Sequence, residues 1–245
     1  MRHSHAVRVA FATGMIGLGL FGLIYGDFGD VWRSVPASMP GRQSLAYASA
    51  ALMLVCGIGL LSKRTEALAA RVLFAYWGLL VLLLKVPVVV RSRISDGTWE
   101  PLAEFVVLFT GAWVLVAANE RANRAAQLVF GLALIPLGLS HFVFLNLTAP
   151  LIPAWIPYHT ALAYFTGAAH IAAGLGVVLR IYPRLAAAME AAMVSAFTVL
   201  VWIPAILATP NSGPSWSEFI LSWAISAAAW VVAASITKRA PATVV

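Results

Sequence analysis

Apolar residues run along this chain in blocks of about 17–25, the length that crosses the hydrocarbon core of a bilayer as a helix. Charged residues, prolines and glycines gather between the blocks. The blocks fall at 8–27, 43–62, 67–90, 102–118, 125–145, 158–180, 184–208 and 217–237 and predict eight membrane-spanning helices. The fourth is short, the third carries Lys85 and Pro87, and the seventh carries Glu190 and Pro204. The opening stretch, Met1 to Arg8 followed by an apolar run, has no small-residue cleavage site after it. It is expected to be an uncleaved first helix rather than a secretory leader. The fold class is therefore all-α: a polytopic membrane helix bundle with no length left for a soluble domain.

Composition agrees. Of 245 residues 62% are hydrophobic and 10% charged, with a mean hydropathy of +0.90, whereas a soluble domain carries about 25% charged residues. The net charge of +7 does not call for nucleic acid, because the basic residues sit in short connectors. Arg2, Arg8, Lys63, Arg64, Arg71, Arg121, Arg124, Arg180, Arg184, Lys238 and Arg239 fall on one side. Only Arg33, Arg42, Arg91 and Arg93 fall on the other, partly offset by Asp27, Asp30, Asp96 and Glu100. Eleven against four predicts that both termini are cytoplasmic. The single cysteine, Cys56, lies in an apolar run and reads as a small buried hydrophobe; it permits neither an intramolecular disulfide nor a cysteine pair.

The two halves echo each other. A shift of 117 places Pro36 on Pro153, Pro40 on Pro157, Tyr47 on Tyr164, Gly57 on Gly174, Pro87 on Pro204, Trp99 on Trp216 and Trp113 on Trp230. Four helices per unit is an even number, so both units would enter the membrane in the same sense. The expectation is a parallel repeat, 1–118 and 119–245, with a pseudo-twofold along the membrane normal rather than an inverted repeat. The outer connectors differ: Asp27 to Arg42 is charged, whereas Asn146 to Tyr158 is uncharged and rich in proline. The latter reads as an aromatic-anchored connector, with Trp155 at headgroup depth, or as a stiff non-helical cover over an outward-facing cavity.

Ionisable groups inside a membrane are costly, and each one invites a functional reading. Lys85 in the third helix, with Glu104 and Glu218 opening the fourth and eighth, forms a polar cluster near the outer surface. Their similar depth fits an ion pair of Lys85 with Glu104, and two readings are open: snorkelling to the interface with a structural pair, or lining a site. In the sixth helix His159, Ala163, Thr166, Gly167, His170, Ala173 and Gly174 share one face. The two histidines on it lie about 16 Å apart in depth, too far to chelate one metal. His170 and Glu190 differ in depth by only about 5 Å, so a hydrogen-bonded pair between the sixth and seventh helices is feasible. It would serve as a polar clasp or as a proton-accepting pair beside a ligand. His141, at the outer end of the fifth helix, is expected to face the cavity beneath the proline loop together with His159. No phosphate-binding loop, zinc-protease or serine-hydrolase motif occurs, and no metal site is expected.

Three runs carry a resemblance: Gly138-Leu139-Ser140-His141-Phe142, Ile152-Pro153-Ala154-Trp155-Ile156-Pro157, and Leu162 to Leu175 with Tyr164, Thr166 and His170 inside it. They resemble the DoxX-like family of small four-helix membrane proteins, and the chain looks like two such units fused. The resemblance implies a bacterial inner-membrane protein associated with membrane or periplasmic redox partners. A quinone is a possible cofactor on that reading, and no catalytic residue is carried over. Three functions follow for the sequence. One is a redox accessory holding a quinone or similar hydrophobic ligand among His141, Trp155, His159, Tyr164, Thr166, His170 and Glu190. Another is a non-enzymatic carrier or sensor of a hydrophobic small molecule. The third is a structural subunit. The lipid bilayer is the partner in all three, and nucleic acid in none.

Overall fold

The computed structural model describes residues 5–27, 35, 38–92 and 98–237. Pro36 of the repeat, Arg2, Arg33, Arg93, Lys238 and Arg239 of the charge asymmetry, and most of the first outer connector lie outside the described residues. Among the described residues, eight helices are long and apolar enough to span a membrane: α1 (His5–Tyr25), α2 (Arg42–Leu61), α3 (Glu66–Arg91), α4 (Trp99–Val116), α5 (Glu120–Val143), α6 (His159–Val178), α7 (Pro183–Ala208) and α8 (Gly213–Ser235). The outward faces are apolar, with Val55, Leu68, Leu83 and Leu207 each more than 60% exposed. Only lipid would cover such a surface. The protein is an all-α, multi-pass membrane bundle.

Local chemistry sets several helix boundaries. The Asn119 side chain accepts a bond from the Ala122 N–H at 2.9 Å and caps α5; Ser212 does the same for α8 through Ser215. Each satisfies one of the N–H groups that a helix start leaves without a carbonyl. Within α3 and α7 the backbone widens into single π-turns, Val81–Lys85 and Thr198–Trp202. Pro87 and Pro204 follow at once, and neither can donate to the carbonyl four residues back. Those carbonyls belong to Leu83 and Leu200, inside the widened turns, which removes the clash while the helix continues.

α1 packs on α2 and α8, α5 packs on α6 and α4, α2 and α6 pack on α3 and α7, and those pack on α4 and α8. α4 and α8 meet each other in the middle. There Gly111 lies so close to Ala228 that a Cβ on it would stand 2.8 Å from the alanine Cβ. Raising each helix number by four, cyclically, reproduces this packing. Shifted by 117, the bounds of α2, α3 and the π-turn Val81–Lys85 coincide with those of α6, α7 and the π-turn Thr198–Trp202.

The two halves are filled differently. Trp77 on α3 is fully buried and meets Phe105 on α4 edge-on, with ring centroids 5.4 Å apart. Lys85 does not snorkel. It is 2% exposed and its ammonium lies 4.2 Å from the Phe105 ring centroid, close enough for a cation–π contact. On α7, the position that corresponds to Trp77 at the 117 shift is Val194, and beside it the bundle is open.

Candidate functional site

The opening beside Val194 is a cavity of about 190 Å³ enclosed by α4, α5, α6, α7, α8 and the α5–α6 connector. Leu137, Val194, Phe197, Leu221 and Ile225 supply apolar wall, and His141, Thr166, His170, Glu100, Glu104, Glu218 and Ser222 supply polar wall.

Glycines bring the two imidazoles there. Where α5 and α6 cross, a Cβ on Gly138 would stand 2.5 Å from the Gly167 carbonyl and 2.9 Å from the His170 Cβ. A Cβ on Gly167 would stand 2.7 Å from the His141 Cβ and 2.8 Å from the Gly138 carbonyl. Each glycine thus vacates the space used by the histidine of the opposite helix, as small residues do at close crossings in membranes. One end of the same seam is closed by Gly131 against Gly174. The His141 and His170 ring centroids end 5.3 Å apart. His170 also stands edge-on to Phe197.

His170 Nδ1 lies 2.8 Å from Glu190 Oε1, and both side chains are 2% exposed or less. Glu190 does not reach the cavity; it stands behind the ring. Where Glu190 is ionised and the ring neutral, Nδ1–H donates to Glu190 and Nε2 keeps its lone pair. The second Glu190 oxygen, Oε2, is buried with no hydrogen-bond partner among the described residues. His141 Nδ1 lies 3.1 Å from the Thr166 hydroxyl, which also reaches the Ala163 carbonyl at 2.9 Å. Between α7 and α8 the Thr198 hydroxyl reaches the Val194 carbonyl and Ser222. A second link runs from Trp230 through Ser195 to Ser226.

The structure rearranges part of the expected site. His141 faces His170, not His159, because the glycine crossing sets those two rings opposite each other. His159 instead contacts the Pro153 carbonyl, with Nε2 at 3.2 Å, and steadies the connector. Trp155 is 68% exposed, and Tyr164 points outward and stacks on Phe142; neither lines the cavity. Glu104 and Glu218 are not a cluster apart from the histidines. They share the same cavity, because α4 and α8 form two of its walls. The connector is also less irregular than its prolines predict. Leu145–Thr148 makes a helical turn and Ala149–Leu151 a 3-10 turn, since Pro150 stands at the start of its turn, where no N–H is needed. Thr148, Leu151 and Ile152 from it close the cavity. Glu100, Phe197, Trp202 and Ser222 are lining residues that the sequence reading did not single out.

Fold and site together define a multi-pass membrane bundle with an imidazole–carboxylate pair buried against an intramembrane cavity. Comparison with family models, with curated proteins and with solved structures finds no match.

Proposed function

We propose that this protein binds a lipid-soluble molecule with a polar head, of the quinone class, in the cavity between α4 and the second group of four helices. The observation that carries the reading is His170: buried, held by Glu190 through Nδ1, and lining a cavity whose wall is mostly apolar. An imidazole held in one tautomer by a carboxylate is suited to take up and return a proton within the pH range of a cell. His141 would bond a ligand oxygen, and the apolar wall would hold the ring. The role is that of an accessory to a membrane redox system. We further propose that the chain consists of two fused DoxX-like units, 1–118 and 119–245, related by a pseudo-twofold along the normal of a bacterial inner membrane. The matching helix bounds and the cyclic packing pattern support the duplication. A non-redox carrier of the same kind of molecule is the second reading. It is favoured by the apolar wall of Leu137, Phe197, Leu221 and Ile225, which suits a hydrophobic molecule whether or not it carries electrons.

The test is extraction of the purified protein and identification of what it retains, by mass. Val194→Trp should abolish retention, because it places in the cavity the side chain that already fills the other half at Trp77. Tyr164→Trp, on the outer face, should leave retention intact. A quinone retained in stoichiometric amount supports the redox reading, and another lipid supports the carrier. Equal retention by both variants would remove the cavity from consideration.

A further inference from the structure

Resting on that reading, we infer that the cavity is built for a head group that donates hydrogen bonds, so that the reduced dihydroxy form, the quinol, is held in preference to the quinone. The Thr166 hydroxyl has a single hydrogen and two contacts, the Ala163 carbonyl at 2.9 Å and His141 Nδ1 at 3.1 Å. A carbonyl can only accept, so both contacts are made only if the hydroxyl donates to Ala163 and Nδ1–H of His141 donates to the hydroxyl. His141 Nε2 is then a lone pair.

Ser222 repeats the pattern. The Thr198 hydrogen goes to the Val194 carbonyl at 3.1 Å, so the 2.8 Å contact between Thr198 and Ser222 uses the Ser222 hydrogen. The Ser222 oxygen keeps an accepting lone pair. Thr148 donates to the Phe144 carbonyl. His170, where Glu190 is ionised and the ring neutral, donates Nδ1–H to Glu190 and also presents a lone pair at Nε2. It is 2% exposed, lines the cavity, and has no partner for that nitrogen among the described residues. Three carboxyl groups, Glu100, Glu104 and Glu218, complete the polar wall and are engaged in contacts of their own. The indole of Trp202 is the one described lining side chain whose N–H is not committed in this way.

A quinone offers only acceptors to such a wall, and two carbonyl oxygens facing lone pairs leave buried acceptors without donors. A quinol turns both positions into O–H donors, one for each imidazole.

Equilibrium dialysis of the protein in lipid nanodiscs tests this, with empty discs subtracted. The probes are a decyl-substituted benzoquinone and, under argon, its dithionite-reduced quinol. The quinol should bind about tenfold more tightly, the ratio expected for one or two net hydrogen bonds. His141→Phe keeps a ring in place and removes one acceptor, so it should erase most of the preference while quinone binding persists. The wild-type ratio needs no substitution, so a variant that fails to fold does not leave the question undecided. Equal binding, or tighter binding of the quinone, overturns the inference and leaves the proposed ligand class standing. Binding of neither form overturns both.

Discussion

Substituting Gly138 by alanine probes the contact on which the site depends. The added methyl would stand 2.5 Å from the Gly167 carbonyl oxygen, 2.7 Å from the Ile171 Cγ1 and 2.9 Å from the His170 Cβ. Two of these neighbours belong to or adjoin the α6 backbone and have no rotamer by which to yield. Ordinary carbon–oxygen contact needs roughly 1 Å more, so α5 and α6 must separate along the seam. Overpacking of this kind costs about 1–3 kcal/mol. For a chain of this size that is about 2–4 °C in melting temperature per kcal/mol, read by thermal unfolding in detergent. The separation should also weaken the His170–Glu190 and His141–Thr166 contacts, so ligand retention should fall further than stability does. Gly78→Ala is the control: its nearest atom is the edge of the Phe109 ring at 3.1 Å, which can tilt away. A Gly138→Ala protein as stable as the parent, with retention unchanged, would refute the glycine-crossing argument.

Three further outcomes follow. His170→Ala strands the Glu190 carboxyl group in the core and should cost about 3–5 kcal/mol; adding Glu190→Gln should recover part of that loss in thermal unfolding, and full additivity of the two changes would mean they are not a pair. Trp77→Val, which hollows the filled half, should cost about 3–5 kcal/mol by opening a void, and an unchanged melting temperature would show that the half is not tightly packed there. A periplasm-only reporter fused after Val245 should be silent, and one placed after Ala154 should be active; the reverse pattern would overturn the orientation drawn from the basic residues.

The spans were legible because a bilayer imposes one length scale on every helix, and the eight apolar blocks meet it within a few residues. Depth was legible for the same reason. A constant rise per residue put His170 and Glu190 at similar heights, and the structure joins them at 2.8 Å. What a single sequence conceals is which helices stand side by side. Depth alone puts His141 with His159, whereas the Gly138–Gly167 crossing turns it to His170. Glu104 and Glu218 were set apart from the histidines because nothing in the chain order announces that α4 and α8 wall the same space. Glu100 could have been found: it stands one turn before Glu104 on the same helix face. Phe197 could too, since it stands seven residues after Glu190 on one face of regular helix; Trp202 could not, since the π-turn of α7 changes the register that would predict its direction.

The unequal filling of the two halves bears on stoichiometry. Two units related by a twofold would ordinarily offer two equivalent pockets, and a ligand entering one could bias the other across the α4–α8 contact. Here Trp77 and Phe105 occupy one position and Val194 leaves the other open. Of these two corresponding positions only the second is vacant, so binding there should give a hyperbolic isotherm with a Hill coefficient of one. Any sigmoidal binding would have to arise between chains rather than within one.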